Sequence, residues 1–161
     1  MRTFGKILFL HGLESKPGGS KALMLAAEGH KVLNPELPRH SFRESVEIAQ
    51  DLIDRERPDV VVGSSRGGAV GVCLNLRGAK LVLVAPAWGF FGVPTEALNN
   101  MPQDTQILHS REDDIVPFRD SETLSRLFGG ELIECGTCHR MSDPEAMSAI
   151  RSAVEGFLVE L

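Results

Sequence analysis

The sequence predicts an α/β fold in which a mostly parallel sheet is covered by helices on both faces. Three observations lead there: six short apolar runs, helix-like stretches between them, and runs that are mostly apolar at consecutive positions, as strands buried on two sides require. The runs fall at residues 6–10, 31–34, 60–63, 81–85, 105–110 and 131–135. Helical connections between parallel strands imply right-handed crossovers.

The first run, Lys-Ile-Leu-Phe-Leu, is followed by a helical pattern over residues 20–28 and then by the second run. The next helix opens with Ser41-Phe42-Arg43-Glu44, the spacing of a capping box in which serine and glutamate each satisfy an amide of the first turn. It carries Val46, Ala49, Leu52 and Ile53 on one face and ends before Pro58. A helix over 66–76 follows the third run, and one over 118–128 follows the fifth. The last helix has the sharpest signals, with Asp143 as N-cap and Pro144 at the first helical position. Met147, Ile150, Val154, Phe157, Leu158 and Leu161 form its apolar stripe.

The chain has 161 residues, with 17 Lys and Arg against 22 Asp and Glu, a formal net charge of −5. Its basic residues are scattered singly among acidic ones, which argues against a nucleic-acid partner. A chain of this size buries roughly 68–70% of its unfolded surface, so one domain over residues 1–161 needs no metal or disulfide staple. No repeat or linker divides it. No apolar run approaches the ~20 residues that span a bilayer. The start, Met1 to Phe4, leads into a strand-like run without a secretory pattern, and three cysteines do not suit an extracellular disulfide framework. The expectation is a cytoplasmic protein with no membrane partner.

Open α/β sheets bind ligands beyond the carboxyl ends of their strands, so those ends carry the functional argument. After the third run the chain reads Gly63-Ser64-Ser65-Arg66-Gly67-Gly68, which fits G-x-S-x-G with Ser65 central. A serine on a sharp strand-to-helix turn needs neighbours without side chains two residues before and after it. A Walker phosphate loop is excluded, because the Gly-Lys-Ser/Thr ending is missing. The first run ends in Leu10-His11-Gly12-Leu13 on the same edge. Backbone amides of Leu13 and Arg66 are placed to hold an oxyanion, with Gly12 allowing close approach and His11 positioning the loop rather than acting as a base.

Beyond the fifth run lie Asp113 and Asp114, either of which can orient a histidine. The last run leads to Cys135-Gly136-Thr137-Cys138-His139, which sets His139 at the sheet mouth as the base that a serine nucleophile requires. His30 and His40 lie away from these ends, and His109 reads as a packed or edge residue of the fifth strand. The Cys135–Cys138 spacing also matches haem attachment and thiol redox pairs. Both readings fail on context, the first for want of an export signal and the second because that motif follows an early strand. Oxidation of Cys135 and Cys138 that perturbs His139 stays open as a milder redox role. Trp88, Phe90 and Phe91 gather in residues 86–104, either as an apolar wall for substrate or as a plug on the sheet edge.

The order Ser65, Asp113, His139, each beyond a different strand, resembles the α/β-hydrolase superfamily. The matching pieces are Leu10-His11-Gly12-Leu13, Gly63-Ser64-Ser65-Arg66-Gly67-Gly68, His109-Ser110-x-x-Asp113-x-x-Val116-Pro117 and Gly136-x-x-His139. His11-Gly12-x-x-Ser15-x-Pro17-x-x-Ser20-Lys21, with Val62-Gly63-Ser64-Ser65, is similar to a subgroup of small bacterial serine esterases of that superfamily. The resemblance implies a single-domain minimal α/β-hydrolase fold lacking the first two of the family's eight strands, with order 2-1-3-4-5-6. It also favours Asp113 over Asp114. Two departures stand out: Ser110 replaces a frequent glycine, and Arg66 replaces an apolar or Gln side chain, leaving a guanidinium that can pair with a nearby carboxylate or attract an anionic substrate group.

The resemblance further implies a serine hydrolase of short-acyl carboxylic esters, acting through an acyl-enzyme. Ser65 is its nucleophile, His139 its base and Asp113 its acid, with His11 and Gly12 in the oxyanion loop; Trp88 and Phe90 join the candidate substrate residues if the aromatic cluster forms a wall rather than a plug. No metal or organic cofactor is implied, and the 19 residues of 86–104 leave no room for a lid domain. The alternatives are a thioesterase or peptidase with the same residues, or a non-catalytic binding protein on the same scaffold.

Overall fold

In the computed structural model, which describes residues 3–161, alternate residues along each strand pack into two separate cores. Met1 and Arg2, at the start of the segment read for a secretory signal, lie outside the described residues. The strands are β1 (Lys6–Leu10), β2 (Lys31–Leu33), β3 (Val60–Ser64), β4 (Lys80–Val84), β5 (Gln106–His109) and β6 (Glu131–Glu134). They form one sheet of order β2-β1-β3-β4-β5-β6 in which every pairing is parallel. The helices are α1 (Ser20–Ala27), α2 (Phe42–Glu56), α3 (Arg66–Val72), α4 (Thr95–Asn99), α5 (Phe118–Phe128) and α6 (Pro144–Leu158).

Ile7, Phe9, Val60, Val62, Val82, Val84 and Leu108 face α1 and α6, where Leu25, Ile150, Val154 and Phe157 meet them. Leu8, Leu10, Val61, Leu81, Leu83 and Ile107 face the other way, onto Ala49, Ile53, Val70 and Leu124 of α2, α3 and α5. This two-sided burial is why the strands read as continuous apolar runs rather than alternating ones. Among the described residues, no helix is long and apolar enough to cross a membrane.

Several expectations shift. The third helix stops at Val72 instead of residue 76, because the chain turns at Cys73 and Asn75, whose amide donates to Gln50 Oε1 at 2.8 Å. Thr105 closes a turn on the Pro102 carbonyl (2.7 Å from its hydroxyl), so β5 begins one residue later. The short α4 in the β4–β5 connection has no apolar stripe long enough to announce it.

The capping box is half made. Ser41 Oγ accepts from the Glu44 amide at 3.1 Å, whereas the Glu44 carboxylate turns to His40 at 3.3 Å. In α6, Asp143 Oδ2 accepts from the Ala146 amide at 3.2 Å as a cap should. Ala146 rather than Met147 is buried in its first turn, and Leu161 lies past the helix end, 70% exposed.

Candidate active site

All five pairings being parallel, the ends of β1, β3, β5 and β6 open on one rim of the sheet. There β3 turns into α3 through Ser65, whose backbone sits at φ 56° and ψ −115°, a conformation that L residues rarely adopt. Neighbouring main chain over-determines it: the Ser65 amide donates to the Val84 carbonyl at 2.9 Å, and its carbonyl accepts from Gly68 and Ala87 amides at 2.9 and 3.0 Å. The flanking glycines leave no room for anything larger. A Cβ on Gly63 would stand 2.5 Å from the Gly67 carbonyl oxygen, and one on Gly67 would collide with the Leu10 carbonyl.

His139 arrives on the loop between β6 and α6. Gly136, at φ 87°, starts that loop, and the Ser110 hydroxyl donates to its carbonyl at 3.0 Å. Asp143 Oδ1 accepts from the Thr137 amide at 3.2 Å, tying the loop to the start of α6. The result brings His139 Nε2 to 2.8 Å from Ser65 Oγ and His139 Nδ1 to 2.7 Å from Asp113 Oδ2. With Nδ1 protonated toward the carboxylate, Nε2 is free to accept the serine proton.

Asp113 is withdrawn from solvent, and its second oxygen accepts from the Ile115 and Val116 amides, both at 2.8 Å. Burial by itself raises its carboxyl, but the bonds from His139, Val116 and Ile115 outweigh that and hold it below the ordinary carboxylate value. Asp114, the competing carboxylate, is exposed at the turn. The sequence missed a further partner. His109 Nε2 lies 2.9 Å from the same Asp113 oxygen, and Ser121 of α5 stands 2.7 Å from His109 Nδ1. Its signal was the four-residue spacing from His109 to Asp113, which the expectation of a packed strand residue left unused.

The β1 loop is held by His11, 4% exposed, whose Nδ1 lies 2.8 Å from the Gly12 carbonyl and whose Nε2 accepts from the Leu37 amide at 2.9 Å. Both ring nitrogens are engaged in main-chain bonds. Gly12 packs on Ser65, where an added Cβ would touch Ser65 Cβ at 3.4 Å. Leu13 and Arg66, whose amides the sequence proposes as oxyanion donors, both line the cleft that holds Ser65.

Around these groups lies a cleft of about 850 Å³ lined by the β1 loop, Ser65, Arg66, Phe90, Phe91, Ile115 and His139. Trp88 departs from expectation. Its indole N–H donates to the Asp120 carbonyl at 3.0 Å and its ring packs against Phe128, so it secures α5 and does not line the cleft. Cys135 is buried, and burial pushes its thiol up to about 11, while Cys138 is half-buried; both are free thiols. A thiol so raised is a poor redox nucleophile.

A hydroxyl, an imidazole and a carboxylate in this geometry can run acyl transfer. Comparison with known proteins gives the lineage, because residues 7–153 match the alpha/beta hydrolase family. The chain belongs to that family. Three solved structures similar to this family member share its fold. One, from Xanthomonas campestris and assigned to the alpha/beta superfamily of hydrolases, has a TM-score of 0.77 at 19% identity, covering 98% of both chains. Est1E from Butyrivibrio proteoclasticus gives 0.78 at 14%, covering 99% of this chain and 89% of its own. The esterase domain of a Rhodothermus marinus protein gives 0.71 at 15%, covering 95% and 85%. At such identities the likeness concerns the fold. No curated protein matches the sequence at a significant level.

Proposed function

We propose that this alpha/beta hydrolase is a cytoplasmic, single-domain serine esterase of the small, lidless bacterial kind, cleaving short-acyl carboxylic esters through an acyl-enzyme. The observation that carries the reading is the unbroken line from Ser65 Oγ through His139 to Asp113, at 2.8 and 2.7 Å. Ser65 attacks the ester carbonyl as His139 Nε2 takes its proton. The Leu13 and Arg66 amides receive the oxyanion, and the imidazolium, steadied by Asp113, returns the proton to the leaving alkoxide. Water then repeats the sequence on the acyl-enzyme and releases the acid.

The strained elbow supports this role, since backbone strain persists where the surroundings impose it and clusters at functional sites. Phe90 and Ile115, 56% and 61% exposed, give the cleft an apolar mouth suited to a short acyl chain. The β4–β5 connection bears only the five-residue α4, which leaves the mouth open. Esterase among the related folds agrees with this choice within the family.

A panel of 4-nitrophenyl esters from acetate to decanoate tests the reading. Hydrolysis is expected to peak at short chains and to fall by about 10⁶ in kcat in Ser65→Ala. Equal rates for the two proteins would refute it.

A further inference from the structure

Arg66 follows the elbow serine and is 2% exposed, yet no carboxylate among the described residues pairs with it. Its Nη2 donates to the Pro38 carbonyl at 2.9 Å, and its guanidinium carbon lies 5.7 Å from the ring centroids of both Phe42 and Phe91. Nη1 is buried without a hydrogen-bond partner among the described residues. Burial lowers the pKa of this guanidinium and no neighbouring charge offsets it. A buried cation with idle donors is unfavourable unless something else supplies the acceptor.

The charge around it points the same way. Arg66 shares the cleft wall with Lys16, Lys21 and Arg140, against one carboxylate, Glu14, which already pairs with Arg39 at 3.1 Å. The chain as a whole carries a net charge of −5, so a cationic cleft is a local departure from its composition. A cleft lined by one sign of charge concentrates ligands of the other.

We infer that the esters this site prefers carry a carboxylate, and that Arg66 is the side chain that binds it. This rests on the esterase reading and narrows its substrate class to short esters with one free acid group. The carboxylate enters where Phe91 lines the cleft; as Nη1 is closed to solvent, the Phe91 ring has to swing aside before the carboxylate accepts from Nη1 and from the second hydrogen of Nη2, a fork that suits its two oxygens. Lys16, Lys21 and Arg140 draw the anion to the mouth. Hydrolysis itself is unchanged: water adds, the ester C–O bond breaks, and an alcohol and an acid leave, with the second carboxylate as bystander.

The test compares charged esters with neutral twins on the intact protein. On the acyl side, 4-nitrophenyl hydrogen glutarate is set against 4-nitrophenyl pentanoate; on the alcohol side, 4-acetoxybenzoate against its methyl ester. At least one charged ester should exceed its twin by about tenfold or more in kcat/KM, and the pair that responds tells which side carries the acid. Arg66→Met should collapse that ratio to about one, Arg66→Lys should restore part of it, and added salt should reduce it in the wild type.

A second arm needs neither turnover nor a folded variant: free glutarate and free benzoate titrated into the wild type by calorimetry. Binding of either in the millimolar range, weakened by salt, supports the inference. It is overturned if neutral twins are hydrolysed as fast as charged ones in both pairs, or if the ratio survives Arg66→Met in folded protein. Should no ester be cleaved and Ser65 resist acylation, the esterase reading falls, and calorimetry then decides the anion site alone, with no heat from either acid counting against it.

Discussion

His109 Nε2 stands 2.9 Å from Asp113 Oδ2, with both side chains removed from solvent. That oxygen therefore accepts from two imidazoles, the other being His139 at 2.7 Å. His109 Nε2 also faces the Val116 carbonyl at 3.1 Å, so two acceptors converge on it and the nitrogen carries the hydrogen. Its Nδ1 then accepts from the Ser121 hydroxyl. In the proposed mechanism His109 is a positioning residue, because it bonds to the carboxylate and does not touch the serine.

Replacing it by Phe should leave KM nearly unchanged and lower kcat by about 10- to 100-fold, the worth of one hydrogen bond to a charged group. His109→Gln, which keeps a donor, should recover part of the loss. Steady-state kinetics on a short ester check this, and an unchanged kcat in the Phe variant would reduce His109 to packing.

Gly67 and Gly156 should respond in opposite senses to alanine. At Gly67 the new methyl meets the Leu10 and His11 main chain, the latter with its carbonyl oxygen at 2.8 Å. Backbone cannot step aside as a side chain can, so the variant should lose about 3 kcal/mol or more, or fail to fold. Gly156 lies in α6 with open space around it, where alanine should add about 0.5–1 kcal/mol. Urea unfolding of both variants measures the contrast.

Ser65→Gly should trade function for stability. Glycine adopts a positive φ without the penalty that serine bears at 56°, so the melting temperature should rise by the equivalent of about 1–3 kcal/mol while ester hydrolysis disappears. Calorimetric melting of the variant beside Ser65→Ala, which keeps the strain, isolates the backbone effect.

How far the sequence could be read depended on the range of the interactions involved. The strands were legible because burial on both faces makes each a continuous apolar run, and α6 because Asp143 and Pro144 mark its start. Gly63 and Gly67 announced the elbow since their constraint is local. Trp88 was misplaced because an aromatic side chain in a loop turns toward whichever surface is free, and here α5 offered Phe128 and the Asp120 carbonyl. The second holder of Asp113 stayed hidden since strand position alone does not tell which way the His109 ring points. The isolation of Arg66 was equally hidden, because whether a carboxylate faces it depends on how α2 and the β4–β5 connection pack.

The lowered carboxyl of Asp113 fixes a pH dependence. A group whose native pKa lies below its unfolded value, 3.8 for this type, adds stability above that pH and loses it as pH falls through the native value. Asp113→Asn should thus be less stable than wild type at pH 7, and the gap should shrink as pH falls through the carboxylate range. Denaturant titrations at pH 7 and pH 3 give the two differences. A gap that grows on acidification contradicts the assigned sign.

The most direct test of the account is the intact mass of the protein after exposure to a fluorophosphonate, with the modified peptide sequenced. One phosphonyl group per chain, carried by Ser65 and lost or strongly slowed in His139→Ala, is the predicted result. A folded protein that gains no mass, or gains it at another residue while Ser65 stays free, would contradict the claim that Ser65, His139 and Asp113 act as one nucleophilic unit.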